Sequence, residues 1–310
     1  MLYQLSYTPA ARRSGAFIEG AGDRQSPLPP VLCSATMHAP HHPPIPVETL
    51  LLAYRSGIFP MADRREDNEV FWVEPRERAI LPLDGLHISK SLRKVLRTDR
   101  FTVTLDRAFE PVIRACAEPR EDHPETWISE RIVQSYIALH RAGHAHSVEC
   151  WEKVAGGEPV LIGGLYGVSF DRVFCGESMF SRAPNASKVA LAWLVALLTR
   201  AGFVLLDCQF MTEHLRSMGA VELPQRDYRR MVDQSHGRPR TSLGTAWRAF
   251  HDGADYASGM AAGAGAGAGA GVAEGVAEGV AEGVPDGLGA GFAESASPGQ
   301  RIAQFLTQTS

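Results

Sequence analysis

The stretch that decides the fold runs from Gly176-Glu-Ser-Met-Phe-Ser181, through one long apolar segment, to Leu206-Asp-Cys-Gln209. In both short segments an acid and another polar group interrupt a hydrophobic sequence. A buried acid without a partner is costly, so two such interruptions on strands that flank one helix predict a shared pocket. We expect that helix over residues 187–200, followed by the strand Phe203-Val-Leu-Leu-Asp207.

Outside this stretch, hydrophobic periodicity predicts alternating strands and helices from residue 100 to residue 233. One strand and two helices come first, followed by three strands over residues 147–152, 159–168 and 172–176. A helix pair, an antiparallel meander, a helix, a strand and a helix is the order of an acyl-CoA N-acyltransferase-like fold. We therefore expect an α/β (α+β) protein with a mixed sheet and flanking helices, preceded by a small N-terminal domain.

Composition divides the chain into four parts. Residues 1–45 are rich in Pro, Ser and His and predict a flexible extension, in which Met37 is a second candidate start codon. Residues 46–99 are assigned to the small N-terminal domain and residues 100–250 to the catalytic domain. Residues 251–310 contain Gly-Ala alternation and Gly-Val-Ala-Glu repeats, which cannot pack a core, so we expect a disordered tail.

Charge and cysteine content narrow the functional classes. The formal charge of −4 comes from the acidic tail, so any RNA contact must come from a local patch on a balanced body. The five cysteines are odd in number and mostly lie in apolar runs, which indicates free thiols in a reducing compartment. The longest apolar run, residues 189–198, has about half the length that spans a bilayer, so we expect a cytoplasmic protein without membrane contact.

Asp207 and Gln209 form the first candidate constellation. In open α/β sheets the carboxyl ends of strands line the ligand crevice, and Asp207 closes such a strand. Side chains alternate along a strand, so Asp207 and Gln209 are expected on one side of it. The Gln209 amide can accept from an amine and donate to a carbonyl. In the alternative, Asp207 is structural and caps the helix that begins near Thr212.

Glu177 forms the second constellation, with an apolar wall of Phe174, Met179 and Phe180. An acid beside such a wall suits a substrate that is cationic at one end and apolar at the other. The alternative is a surface glutamate in a hairpin. A serine-nucleophile elbow is excluded, because Phe180 occupies the position of its second glycine.

A local patch for RNA is predicted on the helix that Ser89 caps. Four cations share one face of this helix without an acid among them, which fits a phosphate backbone better than most solvated faces do, although a solvated face is the default alternative. They are Lys90, Arg93, Lys94 and Arg97, which we call the basic stripe. Trp72 and Trp127 stand at the edges of polar loops, where they either anchor the core or stack on an unpaired base.

No cofactor and no metal are predicted. An acetyl-CoA enzyme of this fold needs a pyrophosphate loop, and the nearest match, Arg216-Ser-Met-Gly-Ala-Val221, fails at its last position. His144, His146 and Cys150 have no fourth zinc ligand at a convincing spacing. The acyl donor is therefore expected to be another activated compound.

Eight motifs follow one another between residues 46 and 234. They are Tyr54-Arg-Ser-Gly-Ile-Phe-Pro-Met61, His87-Ile-Ser89, Thr126-Trp-Ile128, Gly143-His-Ala-His-Ser147, Gly163-Gly-Leu-Tyr-Gly167, Phe174-Cys-Gly-Glu-Ser-Met-Phe-Ser181, Asn185-Ala-Ser-Lys188 and Asp207-Cys-Gln209. In these motifs the chain resembles the leucyl/phenylalanyl-tRNA–protein transferase family. The resemblance implies transfer of Leu from Leu-tRNA or Phe from Phe-tRNA, and also of Met from its aminoacyl-tRNA, to the N-terminal Arg or Lys of acceptor proteins. Such transfer marks the acceptors for N-degron degradation and needs no cofactor, because the tRNA ester is already activated. A monomer is also implied.

The same resemblance implies roles for individual residues. Asp207, Gln209 and Glu177 would be catalytic. The substrate side chain would be bound by Met179, Ser181, Leu165, Gly176 and Phe210, and the terminal adenosine by Trp72 and Trp127. Two positions depart from the family pattern: Val73 replaces a common tryptophan, and Leu165 a common methionine. A small-molecule N-acetyltransferase and a non-catalytic RNA-binding module remain the alternatives.

Overall fold

The computed structural model describes residues 42–119, 125–252 and 296–309. Seven strands form the central sheet: β3 (Glu77–Ile80), β4 (Thr102–Leu105), β5 (Ala145–Glu152), β6 (Val160–Phe170), β7 (Val173–Ser181), β8 (Leu205–Gln209) and β9 (Val221–Pro224). Their order is β4-β5-β6-β7-β8-β3-β9, and only β7 and β8 pair in parallel within this sheet. A mixed sheet with flanking helices is thus confirmed.

Helices cover the sheet from two sides and enclose two apolar clusters. The first cluster includes residues of α2 (Lys90–Arg97), α5 (Ala186–Ala201), α6 (Glu213–Ser217) and α8 (Leu243–Asp252). The second includes residues of α1 (Val47–Arg55), α3 (Phe109–Cys116), α4 (Glu130–Arg141) and α7 (Gln225–Gln234). Neighbouring strand residues such as Leu205 and Leu206 enter different clusters, as the alternation of side chains in a strand requires.

The long apolar helix between the two polar segments is α5, and its predicted place is confirmed. Nearly all its residues are buried, so its sequence is hydrophobic around the whole circumference. The helix ends at Gly202, whose φ of 83° lies in the left-handed region that glycine adopts without strain. By packing on β5, β6 and β7, α5 forms one wall beside the two polar segments.

The N-terminal part is smaller than the expected domain of residues 46–99. It consists of α1 and a two-stranded sheet of β1 (Phe59–Met61) and β2 (Phe71–Val73). The following strand, β3, lies between β8 and β9 in the central sheet, and α2 contributes Leu92 and Leu96 to the first cluster. Residues 77–97 therefore belong structurally to the main body. The sequence of β3, Glu77-Arg-Ala-Ile80, conceals this because two of its four residues are charged.

The prediction of a disordered tail is wrong for residues 298–308. They form a helix, α9 (Pro298–Gln308), which begins with a capping box between Ser297 and Gln300. Ile302 and Leu306 are 0% and 1% exposed, because they pack in the first cluster. Their spacing of four residues is the helical signal that the repetitive composition outweighed. The rest of the predicted tail and residues 1–41 of the predicted extension lie outside the described residues.

Ile45 extends the ordered body slightly beyond the predicted start at residue 46. Its side chain is buried, and its backbone N–H donates to Ser135 Oγ at 2.8 Å. Within the three described ranges, none of the helices has the length and apolar character needed to cross a membrane.

Candidate active site

Irregular strand pairing places Glu177. β7 and β8 are paired at Cys175 and Asp207, and this parallel pairing extends no further toward Gln209. Against β6, Tyr166 faces Ser178 while Gly167 faces Gly176, so Glu177 is the extra residue of a β-bulge. A bulge interrupts the regular alternation of side chains and redirects the residue that it contains. The alternative of a surface glutamate is therefore wrong, because Glu177 is fully buried within β7.

Glu177 is the centre of a buried hydrogen-bond network. Its Oε1 accepts from Tyr54 Oη at 2.7 Å and from Gln209 Nε2 at 2.8 Å, and its Oε2 accepts from Tyr136 Oη at 3.1 Å. These three donors are uncharged. Burial raises the pKa of Glu177 to about 7, although the hydrogen bonds from Tyr54 and Gln209 act to lower it. The carboxyl group can therefore take up or release a proton near neutral pH.

Asp207 lies next to a cation instead. Its Oδ1 accepts from Arg78 Nε at 2.9 Å, and its Oδ2 accepts from a second guanidinium nitrogen at 2.6 Å. Tyr228 Oη donates to Oδ2 at 3.2 Å, and the side chains of Arg78 and Asp207 are both fully buried. Burial alone would lower the pKa of Arg78, but the Asp207 carboxylate raises it, so the guanidinium remains charged. The result is a bidentate ion pair rather than a free acid.

Arg78 is a site residue that sequence reasoning missed. Its guanidinium lies 4.9 Å from the ring centre of Phe59 and 4.3 Å from that of Tyr228. A third nitrogen donates to the Gly57 carbonyl at 3.0 Å. These contacts desolvate the cation and fix its plane. The one available signal was indirect, because a buried Asp207 requires a partner.

Gln209 connects the two acids. Its backbone N–H donates to Asp207 Oδ1 at 2.8 Å, while its side chain donates to Glu177. Its φ of 63° is left-handed, and the pairing of β8 with β3 shifts between Gln209 and Asp207, so Cys208 is an extra residue. The regular alternation that we assumed between Asp207 and Gln209 is therefore interrupted. Asp207 also does not cap the next helix, whose cap is Thr212, with Oγ1 accepting from Leu215 N.

An apolar pocket adjoins Glu177. Its lining includes Leu165 and Tyr166 of β6, Gly176 to Met179 of β7, Leu191 and Leu194 of α5, Leu206 and Cys208 of β8, and Thr212, His214 and Leu215. The cavity has a volume of about 30 Å³, which is room for one or two water molecules. A leucine-sized side chain would therefore enter only if the lining moved, and the flexible thioether of Met179 is suited to such movement.

His214 adds a polar group to this pocket that sequence reasoning missed. Burial, followed by the nearby charge of Lys188, lowers the pKa of His214 to about 4. The imidazole is therefore neutral at physiological pH. Burial also raises the pKa of the Cys208 thiol, which keeps that group protonated.

The predicted substrate-binding residues divide into two groups. Leu165, Gly176 and Met179 line the pocket. Ser181 instead donates to the Ala183 carbonyl at 2.8 Å and accepts from Ser187 N–H at 3.4 Å, at the start of α5. Phe210 packs beside the second cluster, with its ring edge-on to Phe59 at 5.8 Å.

The two tryptophans predicted to contact RNA lie in different environments. Trp72, on β2, is 40% exposed, whereas Trp127 is 8% exposed and packs in the second cluster. An exposed indole face is available for stacking at Trp72, while burial of Trp127 fits the core-anchor alternative.

All four residues of the basic stripe are exposed on α2, as their spacing predicted. With Thr98 and Gln300 they line an open groove of about 450 Å³. Across the described ranges, the side chains of His, Cys, Asp and Glu form no group of three or more that could hold a metal ion.

Comparison with known proteins identifies the family. The family model of leucyl/phenylalanyl-tRNA protein transferase matches residues 80–233, and the model of its N-terminal domain matches residues 44–76. The chain is 56% identical to the leucyl/phenylalanyl-tRNA–protein transferase of Novosphingobium aromaticivorans over 266 residues, which cover 86% of this chain and 97% of that protein. It is 55% identical to the enzyme of Rhizorhabdus wittichii over 190 residues, which cover 61% of this chain and 75% of that protein.

These matches place the chain in the class of aminoacyltransferases. Within that class, it belongs to the leucyl/phenylalanyl-tRNA–protein transferase family. The N-terminal family model ends at residue 76, immediately before β3, where the structure also changes from the small sheet to the central one.

Proposed function

We propose that this protein transfers Leu or Phe, and also Met, from Leu-tRNA, Phe-tRNA or Met-tRNA to the N-terminal Arg or Lys of acceptor proteins. The new peptide bond marks the acceptor for N-degron degradation. One observation carries the proposal: Glu177 belongs both to the hydrogen-bonded pair with Gln209 and to the lining of the apolar pocket. If the side chain of the aminoacyl group occupied this pocket, the ester carbonyl of the aminoacyl-tRNA would lie next to Glu177 and Gln209, two polar groups that can bind an attacking amine.

The proposed reaction exchanges an ester for an amide. The lone pair of the acceptor amine attacks the ester carbonyl carbon, the bond from that carbon to the ribose oxygen breaks, and the ribose oxygen takes a proton. An N-terminal amine has a pKa of about 7.7–8.0, so a neutral fraction is present at pH 7. Gln209 orients the amine with its side-chain amide. Glu177, whose pKa of about 7 is near that of the amine, accepts the proton that the amine loses.

Asp207 has a positioning role in this proposal. Arg78 holds both of its carboxylate oxygens in a bidentate ion pair, which fixes the carboxylate in place. Its bond from the Gln209 backbone N–H instead holds that residue in its left-handed conformation. The negative charge of the carboxylate lies near enough to offset part of the positive charge that develops on the amine.

The proposed tRNA contacts are made by exposed side chains. Trp72 is proposed to stack on the terminal adenine, and the basic stripe to contact the phosphate backbone. We also infer a cytoplasmic monomer with an acyl-CoA N-acyltransferase-like fold. The antiparallel run β4-β5-β6-β7 with its parallel neighbour β8 supports that fold assignment.

The test is transfer of labelled Leu from Leu-tRNA to a peptide that begins with Arg. We expect Gln209→Ala to lower kcat/KM by about 10²-fold, the usual loss of one positioned hydrogen-bond group. Gln134→Ala, which removes a half-buried glutamine of α4 that donates to Glu130, is the control and should transfer normally. Undiminished transfer by Gln209→Ala would remove this residue from the mechanism. Transfer from acetyl-CoA, or tRNA binding without turnover, would favour the two alternatives.

A further inference from the structure

The C-terminal helix α9 is joined to the main body by specific contacts. Arg301 donates from one nitrogen to the carbonyls of Phe250 at 2.9 Å and His251 at 2.7 Å, near the end of α8. The rings of Phe250 and Phe305 meet edge to face at 5.3 Å. Together with buried Ile302 and Leu306, these contacts fix α9 in position on the body.

The first turn of α9 lies directly against the end of α2. Gly299 N–H donates to Asp99 Oδ1 at 2.8 Å. A Cβ atom at Gly299 would lie 2.1 Å from the carbonyl oxygen of Leu96, so only glycine permits this approach. The helix that carries the basic stripe therefore has α9 as its immediate neighbour.

This neighbour gives the basic stripe a second wall. Gln300 is exposed and lines the groove of about 450 Å³ together with Lys90, Arg93, Lys94, Arg97 and Thr98. Its Oε1 accepts from Ser297 N–H at 3.1 Å in the capping box, which orients the amide. The other end of the amide, Nε2, is a donor and thus matches the phosphate acceptors that the cations attract.

We propose that α9 completes a binding groove for the sugar-phosphate backbone of the donor tRNA, with Gln300 as a contact residue opposite the basic stripe. The stripe extends over about 10 Å of helix, a length that covers a few successive phosphates of one strand. The proposal rests on the function proposed above. It adds an RNA-binding element that lies beyond residues 44–233, to which the family models are confined.

Two substitutions of opposite charge test the proposal. Gln300→Glu retains a capping-box residue but adds a negative charge to the groove. We expect it to raise the KM for Leu-tRNA about three- to tenfold and to flatten its salt dependence. Gln300→Lys loses the capping acceptor but adds a cation, and we expect it to lower the KM. If α9 were only a structural support, Gln300→Glu would be neutral and Gln300→Lys would be the harmful change.

The control is Gln308→Glu, the same exchange at an exposed position about 12 Å further along α9. At moderate salt this charge is screened from the groove, so the KM should change less than twofold. A 3′-aminoacyl adenosine, which has no tRNA body, is the second control donor. Each Gln300 variant should use it as well as the unchanged protein does.

The outcomes separate the two proposals. If Arg93→Glu raises the KM for tRNA while neither Gln300 variant changes it, the basic stripe binds tRNA and α9 does not. If the Gln300 variants lose activity equally with the aminoacyl adenosine, their effect is on folding or catalysis, and the groove proposal fails. If the unchanged protein transfers from neither donor, the proposed function itself is wrong.

Discussion

Asp207 and Glu177 are both fully buried carboxyl groups, and Gln209 donates to each of them. Their other partners differ. Asp207 lies in a bidentate ion pair with Arg78, whereas all the donors to Glu177 are neutral. Arg78 compensates the buried charge of Asp207, whereas burial without a neighbouring cation raises the pKa of Glu177. Of the two carboxyl groups beside Gln209, one is thus held in an ion pair and the other can exchange a proton near neutral pH.

This difference also explains how Gln209 can be held firmly beside a group that exchanges protons. The Asp207 side fixes the backbone of Gln209 in a left-handed conformation, which costs about 1–3 kcal/mol for a residue other than glycine. The Glu177 side contacts only the side-chain amide. A change in the protonation of Glu177 therefore leaves the backbone bond from Gln209 to Asp207 in place.

Removing the Arg78 cation is expected to have the largest effect on the difference between the two acids. Arg78→Met leaves Asp207 buried without a counter-charge, and we expect the free energy of unfolding to fall by about 3–5 kcal/mol. Urea denaturation measures the loss. Adding Asp207→Leu to this variant should recover much of the stability, although not the activity.

The matched control for that prediction is Arg55→Met. Arg55 pairs with Asp171 at 3.2 Å, but their side chains are 41% and 23% exposed. An exposed pair contributes about 0–1 kcal/mol, so this loss should be small. Equal losses at Arg55 and Arg78 would show that burial does not distinguish the two ion pairs.

Arg78 also shows the limit of what the sequence reveals. Most elements from residue 100 to residue 234 could be predicted because their apolar residues repeat with helical or strand spacing, but the short edge strand β9 was not predicted. Arg78, in contrast, lies in β3, a strand with two charged residues among four. Its partner Asp207 is 129 residues away in the sequence. Such an ion pair exists only through sheet order, which local periodicity does not contain. The helix α9 was missed for the opposite reason, because composition outweighed a short local signal.

The site was partly predictable for the same reasons. Glu177, Asp207 and Gln209 are visible as polar interruptions of apolar strands, and the structure joins them in one network. Their division into roles depends on two β-bulges, at Glu177 and Cys208. A bulge is defined by the register between paired strands, and a single strand's alternation cannot reveal it. The assumption of regular alternation therefore failed at the positions where the site is formed.

Replacing the titratable acid, Glu177, is expected to have the second-largest effect. The pKa of Glu177 is raised from 4.5 to about 7, so the folded protein binds more protons than the unfolded chain between these pH values. Its stability therefore falls as pH rises through this window. Glu177→Gln removes this dependence. As pH rises from 4.5 to 8, the free energy of unfolding of the variant should therefore increase by about 1–3 kcal/mol relative to that of the unchanged protein. Urea denaturation at several pH values checks the slope.

A glutamate with the opposite shift is the control. The hydrogen bond from Arg114 lowers the pKa of the exposed Glu130, so the relative change for Glu130→Gln should be small and opposite in sign. In transfer assays, we expect the kcat/KM of the unchanged protein to decrease as pH falls through about 7, and Glu177→Gln should lose this decrease. If the decrease persists in Glu177→Gln, it comes from titration of the acceptor amine, and Glu177 does not accept the proton.

The smallest effect is expected from replacing the tyrosines that donate hydrogen bonds to Glu177. Tyr54 donates at 2.7 Å from α1, so the small N-terminal part of the chain reaches the acid of the main body directly. Tyr54→Phe removes a bond that lowers the pKa of Glu177, which should move the acid limb of kcat/KM upward by about half a pH unit. Tyr136→Phe, with its longer bond of 3.1 Å, should move it less. Tyr166→Phe, which removes a buried hydroxyl that has no hydrogen-bond partner among the described residues, should leave the limb unchanged. If Tyr54→Phe moved the limb no more than Tyr166→Phe does, the hydrogen bond from the N-terminal part would have no influence on the titration of Glu177.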